Sequence, residues 1–261
     1  MLFRSIAGEN NGVIRQCDVS EYDNGHSIVI EAFAGFVGGI VGVTGEDTGT
    51  NALIELCYVN TYMDGEGDYT GGIAGANYDT VRYCGYEGRQ INCSGRGNGG
   101  VVGWNRSGAV KNCYYSGNDL SSGDAYNGGI VGWFEGGIID RCYAAGAITY
   151  NPKGGLVGRC EGTISNSLWD TQVTGCSAAF VDGDCNIIDS HGESTTEMKK
   201  QATYTTKYDT NWDFENIWMI NENTNYPNLR GIGDKLASPE GLTVSSDQSD
   251  GIQLLWNHVG F

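Results

Sequence analysis

The chain has 261 residues, 39% of them hydrophobic, which is enough for one large core or two smaller ones. Fifteen Lys and Arg stand against 32 Asp and Glu, a net charge of −17. That balance argues against nucleic acid, which needs clustered cations, and against adsorption to an anionic membrane.

Glycine is the compositional outlier, with 42 residues against 3 prolines, about twice the usual ~7% share. No collagen period accompanies it, so the glycines must serve turns or close backbone approaches. No apolar run approaches the ~20 residues that a membrane helix needs, so no membrane insertion is expected.

At the N-terminus, "MLFRS" (1–5) has neither the apolar core nor the small-residue cleavage site of a signal peptide. It matches the translated end of a sequencing adapter and is set aside as a non-native scar. A repeat then begins. Its first box is "SIAG" at Ser5–Gly8, "GGIVG" at Gly38–Gly42, "GGIAG" at Gly71–Gly75, "GGVVG" at Gly99–Gly103, "GGIVG" again at Gly128–Gly132, and "GGLVG" at Gly154–Gly158.

A second box follows each: "IRQCDV", "IELCYV", "VRYCGY", "VKNCYY", "IDRCYA" and "ISNSLW". The boxes are short, β-branched and bounded by Gly, Asn and Asp, so they predict strands. A single unit is too short to bury its own apolar face, so the units must stack. The prediction is an all-β parallel solenoid of about six rungs over residues 6–170.

In such a stack Ile40, Ile73, Val101, Ile130 and Leu156 form one inward ladder, and Ile54, Val81, Val110, Ile139 and Ile164 another. Cys17, Cys57, Cys84, Cys113 and Cys142 share one repeat position, with Ser167 in the sixth copy, and are expected as buried thiols in a core ladder. Strict alternation cannot put both the β-branched residue and the Cys three later on one face, so a bend is expected between them. The glycine pairs are expected at a corner with positive φ or with no room for Cβ.

These two boxes, clearest in "GGIVGWFEGGIIDRCYAAG" (Gly128–Gly146), resemble the GLUG motif. That repeat occurs in bacterial surface and secreted proteins, including parts of some immunoglobulin A peptidases. The resemblance spans residues 5–170. It implies a β-solenoid in an extracellular or cell-surface protein, and it carries no catalytic residues.

Residues 171–236 differ in character. "STTE" (Ser194–Glu197) predicts a short capped helix over Glu197–Gln201 or a little longer. "NWDFENIWMI" and "NYPNL" then supply Trp212, Phe214 and Trp218, expected to cover the last rung as a capping module; a carbohydrate-stacking platform is the alternative. Cys176 and Cys185 flank a short loop and could close a disulfide in an exported protein, while spacing leaves the partners of Cys93 and Cys160 open. Residues 237–261 resemble the first two strands of a fibronectin type III domain, on Pro239, Leu242, Val244, Leu254 and Trp256.

Catalytic patterns are sparse. None of the three histidines, His26, His191 and His258, begins an H-E-x-x-H. "GRGNGG" (Gly95–Gly100) fits a nucleotide fingerprint literally, but no helix signature follows it. "DGEGD" and "DGD" offer oxygens to a cation without a calcium-loop pattern. No cofactor, metal or catalytic residue is therefore expected.

The expected function is a non-catalytic stalk or adhesive module, with a host or cell-surface glycan or protein as partner. The alternative is an accessory β-helix of a larger secreted peptidase or polysaccharide-active enzyme. Trp104 and Trp133 follow the last glycine of two adjacent first boxes and are the candidate ligand-binding residues, as a strip suited to sugar rings or an extended peptide.

Overall fold

The structure is a computed structural model, and it describes residues 2–3, 6–20, 29–32, 35–46, 51–121, 126–208 and 210–232. The expected scar lies mostly, and the fibronectin-like segment entirely, outside these residues. A complete rung carries five short strands, as in Gln90–Cys93, Gly97–Gly99, Val102–Asn105, Ala109–Lys111 and Tyr114–Tyr115. Each strand pairs in parallel with its counterparts in neighbouring rungs. The five resulting sheets are numbered here I to V in that order. Sheets I and II have five strands and sheets III, IV and V have seven.

The stack is an all-β parallel solenoid, and it is longer than about six rungs ending at residue 170. Phe180–Gly183, Asn186–Ile188 and His191–Glu193 add a seventh strand to sheets III, IV and V. Sequence matching misses this rung because it lacks the glycine box. Its strands keep only the register, with Ile187 beside Ile164 and Ile188 beside Ser165.

The inward ladders are fully buried. Ile40, Ile73, Val101, Ile130 and Leu156 have no exposure, nor do Ile54, Val81, Val110, Ile139 and Ile164. Two corners make this possible. At the glycine corner φ is not positive; the constraint is space. A Cβ on Gly99 would fall on the carbonyl oxygen of Val102, and one on Gly100 on the carbonyl of Gly129 in the next rung and on the Tyr115 ring.

The second corner lies between sheets IV and V, where the sequence called for a bend. One residue per rung is left-handed there: Gln16, Leu56, Tyr83, Asn112, Arg141, Asn166 and Asp189, with φ between 43° and 55°. For non-glycine residues this costs roughly 1–2 kcal/mol each, least for Asn and Asp. The next residue is the Cys or Ser of the ladder, and its side chain closes the bend. The thiols of Cys84 and Cys113 donate to the carbonyls of Arg82 and Lys111 at 3.1 and 3.2 Å. The Ser167 hydroxyl donates likewise to Ser165 at 2.7 Å.

The ladder side chains also link rungs. Cys142 Sγ accepts from the Cys113 backbone N–H, Ser167 Oγ from that of Cys142, and Ser190 Oγ from that of Ser167. Cys and Ser are thus interchangeable here because both are small and can donate and accept.

The C-terminal module does not sit on the end of the stack. It lies along the flank, against the outward face of sheet V. Tyr58, Tyr114, Tyr143 and Leu168 form one apolar cluster with Met198, Tyr204, Trp212, Trp218 and Leu229. Trp212 Nε1 donates to the Asn166 carbonyl at 2.8 Å and Trp218 Nε1 to Asn112 Oδ1 at 3.3 Å. Tyr143 donates to the Pro227 carbonyl at 2.6 Å and Tyr226 to Asp170 at 2.7 Å.

The expected end cap is therefore corrected to a lateral clamp. The physical reason is the column of outward tyrosines on sheet V, which gives the clamp aromatics a continuous apolar face to pack on. The seventh rung leaves Val181, Ile187 and Ile188 exposed. The helical segment is also displaced and divided: Thr195–Met198, capped by Ser194 accepting from the Glu197 N–H, then Gln201–Thr205.

Cutting the chain after Glu193 would bare Tyr114, Tyr143 and Leu168, each of which gains on the order of 1.5–3 kcal/mol from burial. Size-exclusion chromatography is expected to show a monomer for residues 6–232 and aggregation for 6–193. Equal solubility of the two would contradict the clamp.

Candidate functional site

Trp104 and Trp133 are register neighbours in sheet III, and both are half-buried. They do not stack on one another. Tyr69 of sheet II bridges them, lying parallel to Trp104 at 5.3 Å between centroids and edge-on to Trp133 at 6.2 Å. Phe36 stacks on Trp104 at 5.7 Å and Tyr126 meets Trp133 edge-on at 5.6 Å. The glycine of the sheet II ladder, Gly97, makes this interlocking possible, because a Cβ there would stand 3.2 Å from the Trp133 Cβ.

The expected strip is thus a patch across the corner between sheets II and III. Arginines lie over both indoles. The Arg106 guanidinium sits 5.6 Å from the ring centres of Trp104 and Tyr78, and that of Arg159 4.7 Å from Trp133. Arg159 also bonds Glu161 at 2.7 Å, which raises its already high pKa. Tyr126 donates to Asp182 at 2.8 Å, a bond that holds its hydroxyl above the ordinary range. Burial does the same for Tyr69.

Cations, carboxylates and aromatic faces therefore alternate over the patch. Trp104 Nε1, Trp133 Nε1 and Arg159 Nε are buried donors without a protein acceptor. Orphaned buried donors cost roughly 1–3 kcal/mol each and are uncommon in settled cores. The arrangement can offer the exposed parts of the rings, guanidinium donors and carboxylate acceptors to a polar ligand.

The other singled-out residues are placed as follows. Cys57, Cys84, Cys113 and Cys142 are fully buried, and Cys17, on the first rung, is partly exposed. The disulfide differs from expectation: Cys185 pairs with Cys160, Cα atoms 5.3 Å apart, and not with Cys176. The seventh rung returns alongside the sixth, where the Asp184 N–H donates to the Cys160 carbonyl and delivers Cys185 to Cys160. Cys176 turns inward instead and remains a buried thiol, its carbonyl accepting from the Trp169 indole at 3.0 Å. Sequence proximity favoured the wrong partner; stacking decides the pairing.

Gly97–Gly99 of the nucleotide-like stretch is a sheet II strand and not a phosphate loop. Among the described residues no three His, Cys, Asp or Glu converge on a metal position, and no helix is long and apolar enough to cross a membrane.

A second concavity was not foreseen. A cleft of about 620 Å³ opens between the clamp and sheet V. Glu87, Tyr143, Lys199, Asn225 and Tyr226 are among its walls. Sequence spacing could not find it, because its two sides, residues 87–145 and 199–228, come from distant parts of the chain.

No protein-family model matches the chain, so neither the GLUG nor the fibronectin resemblance gains support from that source. No curated protein matches it either. Among solved structures it is similar to a crystal structure from Bacteroides ovatus described as a candidate immunoglobulin A1 protease. The TM-score is 0.57 and the identity 20%, over 85% of this chain and 76% of that one. At that identity the likeness shows a shared fold.

The thiol ladder gives a direct test. Burial, with the Cys142 and Cys84 side chains, holds Cys113 well above the ordinary thiol range, and Cys84 and burial raise Cys57. Burial pushes Cys93 up to about 12. Alkylation of the native protein is expected to modify Cys17 alone, with no increase at Cys93 between pH 7 and pH 9. An ordinary thiol, of pKa about 8.5, accelerates over that interval. Denaturant should release the remaining thiols. Rapid native labelling of Cys84 or Cys113, read by mass spectrometry, would contradict the buried ladder.

Proposed function

We propose that this chain is a non-catalytic binding and spacer module of an exported bacterial surface protein, of the GLUG-repeat type. The observation that carries the reading is the aromatic and guanidinium patch around Trp104 and Trp133, held on a rigid stack. Seven rungs at ~4.8 Å span about 29 Å, so the solenoid can act as a rod that presents a patch on its side. Inward positions are committed to packing, and recognition must use outward ones.

The Cys160–Cys185 disulfide supports an oxidising, extracellular setting. The net charge of −17 favours solubility and disfavours nucleic acid as partner. The partner class proposed is a glycan or protein of a host or neighbouring cell surface.

A second reading has an observation of its own. The similar Bacteroides ovatus structure is described as a candidate protease. On that reading the solenoid is an accessory region of a larger secreted peptidase, and the same patch serves substrate or surface attachment.

The test is binding of the described chain to an immobilised glycan and peptide panel, alongside a Trp104→Ala, Trp133→Ala double variant. Wild-type binding to at least one member is expected, with a loss of tenfold or more in the double variant, since anchoring aromatics commonly contribute about 2 kcal/mol or more. Binding that survives the double change would remove the patch from the function.

A further inference from the structure

We infer that the cleft between the clamp and sheet V is a second ligand site, separate from the corner patch, and that it takes a short neutral saccharide. Its volume of about 620 Å³ falls in the range that encloses small ligands, roughly 300–1,000 Å³. It lies where the clamp meets the solenoid, and clefts between packed parts of a chain are a common place for such sites.

The half-buried Tyr226 ring lines one wall, with the buried Tyr143 ring stacked behind it. Tyr143 and Tyr226 stack at 6.2 Å and 23°. Their hydroxyls are engaged elsewhere, with the Pro227 carbonyl and Asp170, which fixes both rings. The exposed part of the fixed Tyr226 ring, beside polar groups, suits a sugar, whose C–H groups pack on aromatic surface while its hydroxyls need partners at the edge.

The rim supplies those partners. Asn221, Thr224 and Asn225 are exposed on a loop preset by its own backbone bonds: Asn223 N–H to the Lys199 carbonyl, and Thr224 and Asn225 N–H to the Asn221 carbonyl. A carboxamide both donates and accepts, as a sugar hydroxyl does.

The charges decide the class. Glu87 and Lys199 contribute one charge of each sign to the lining. The Glu87 carboxylate is held by the hydroxyls of Tyr58 at 3.0 Å and Tyr114 at 2.8 Å, with lone pairs to spare. The Lys199 ammonium lies over the Tyr226 ring, 5.3 Å from its centre. An anionic ligand would meet Glu87 and a cationic one Lys199. A neutral polyol satisfies both, accepting from the ammonium and donating to the carboxylate.

The experiment titrates the described chain with cellobiose, lactose, maltose and di-N-acetylchitobiose, with glucuronic acid as the anionic control, by saturation-transfer NMR. At least one neutral disaccharide is expected to bind better than the uronate. Asn225→Ala and Lys199→Met, both at the rim, are expected to weaken it about tenfold each, the equivalent of one good hydrogen bond of about 1.4 kcal/mol, with unchanged thermal melts. The Trp104→Ala, Trp133→Ala protein should bind these sugars as the wild type does, so that failure of the corner patch and failure of the cleft are told apart. Absence of neutral-sugar binding, preference for the uronate, or loss of binding only in the double tryptophan variant would overturn the assignment.

Discussion

Everything in this molecule depends on each rung turning back at two corners without breaking register with its neighbours. One corner has no space for a side chain. The other demands a left-handed residue. With both in place, the strands of successive rungs lie in register and their β-branched side chains fall into continuous inward ladders. The glycine excess is the compositional trace of the first corner, and the small Cys or Ser that follows the second is its local lock. The left-handed residues cost free energy at Leu56, Tyr83 and Arg141. That cost is tolerated because the Cys or Ser side chains then satisfy backbone groups in two rungs at once.

The same register shapes the outer surface. Outward positions repeat as faithfully as inward ones, so a tyrosine at one repeat position becomes a column. On sheet V that column recruits the C-terminal module, which clamps several rungs from the side and ties Asn112 to Asn166 through its two tryptophans. At the corner of sheets II and III the outward aromatics interlock with arginines and leave donors without protein acceptors. One column is consumed by the chain itself and the other remains on the surface. That difference is why the second is the one proposed to bind a ligand.

The solenoid was legible in the sequence because its two boxes recur with nearly constant spacing, and the identity of Ile54, Val81 and Val110 as one ladder follows from spacing alone. The seventh rung was not legible, since it keeps the register of Ile187 while losing the glycine pair. The Cys160–Cys185 pairing was hidden for the same reason: it needs that unseen rung. The clamp was visible as an aromatic-rich segment, but whether Trp212 and Trp218 cover an end or a flank depends on which apolar face meets them in three dimensions, and spacing does not report that. Trp104 and Trp133 were found by repeat position; their separation by Tyr69 and their covering arginines come from side chains of other strands. The cleft beside Glu87 and Tyr226 has no local signature at all.

The central claim, that a left-handed corner sets the stacking, is tested most directly at Arg141, in the fifth of the seven rungs and at φ 51°. Arg141→Gly and Arg141→Val lose the same ion pair to Asp140, so their difference isolates the backbone. Equilibrium denaturant unfolding of the two is the measurement. The account predicts that the valine protein is less stable than the glycine protein by about 2 kcal/mol, as expected for a β-branched residue forced into the left-handed region. Equal stabilities, or a more stable valine variant, would contradict it.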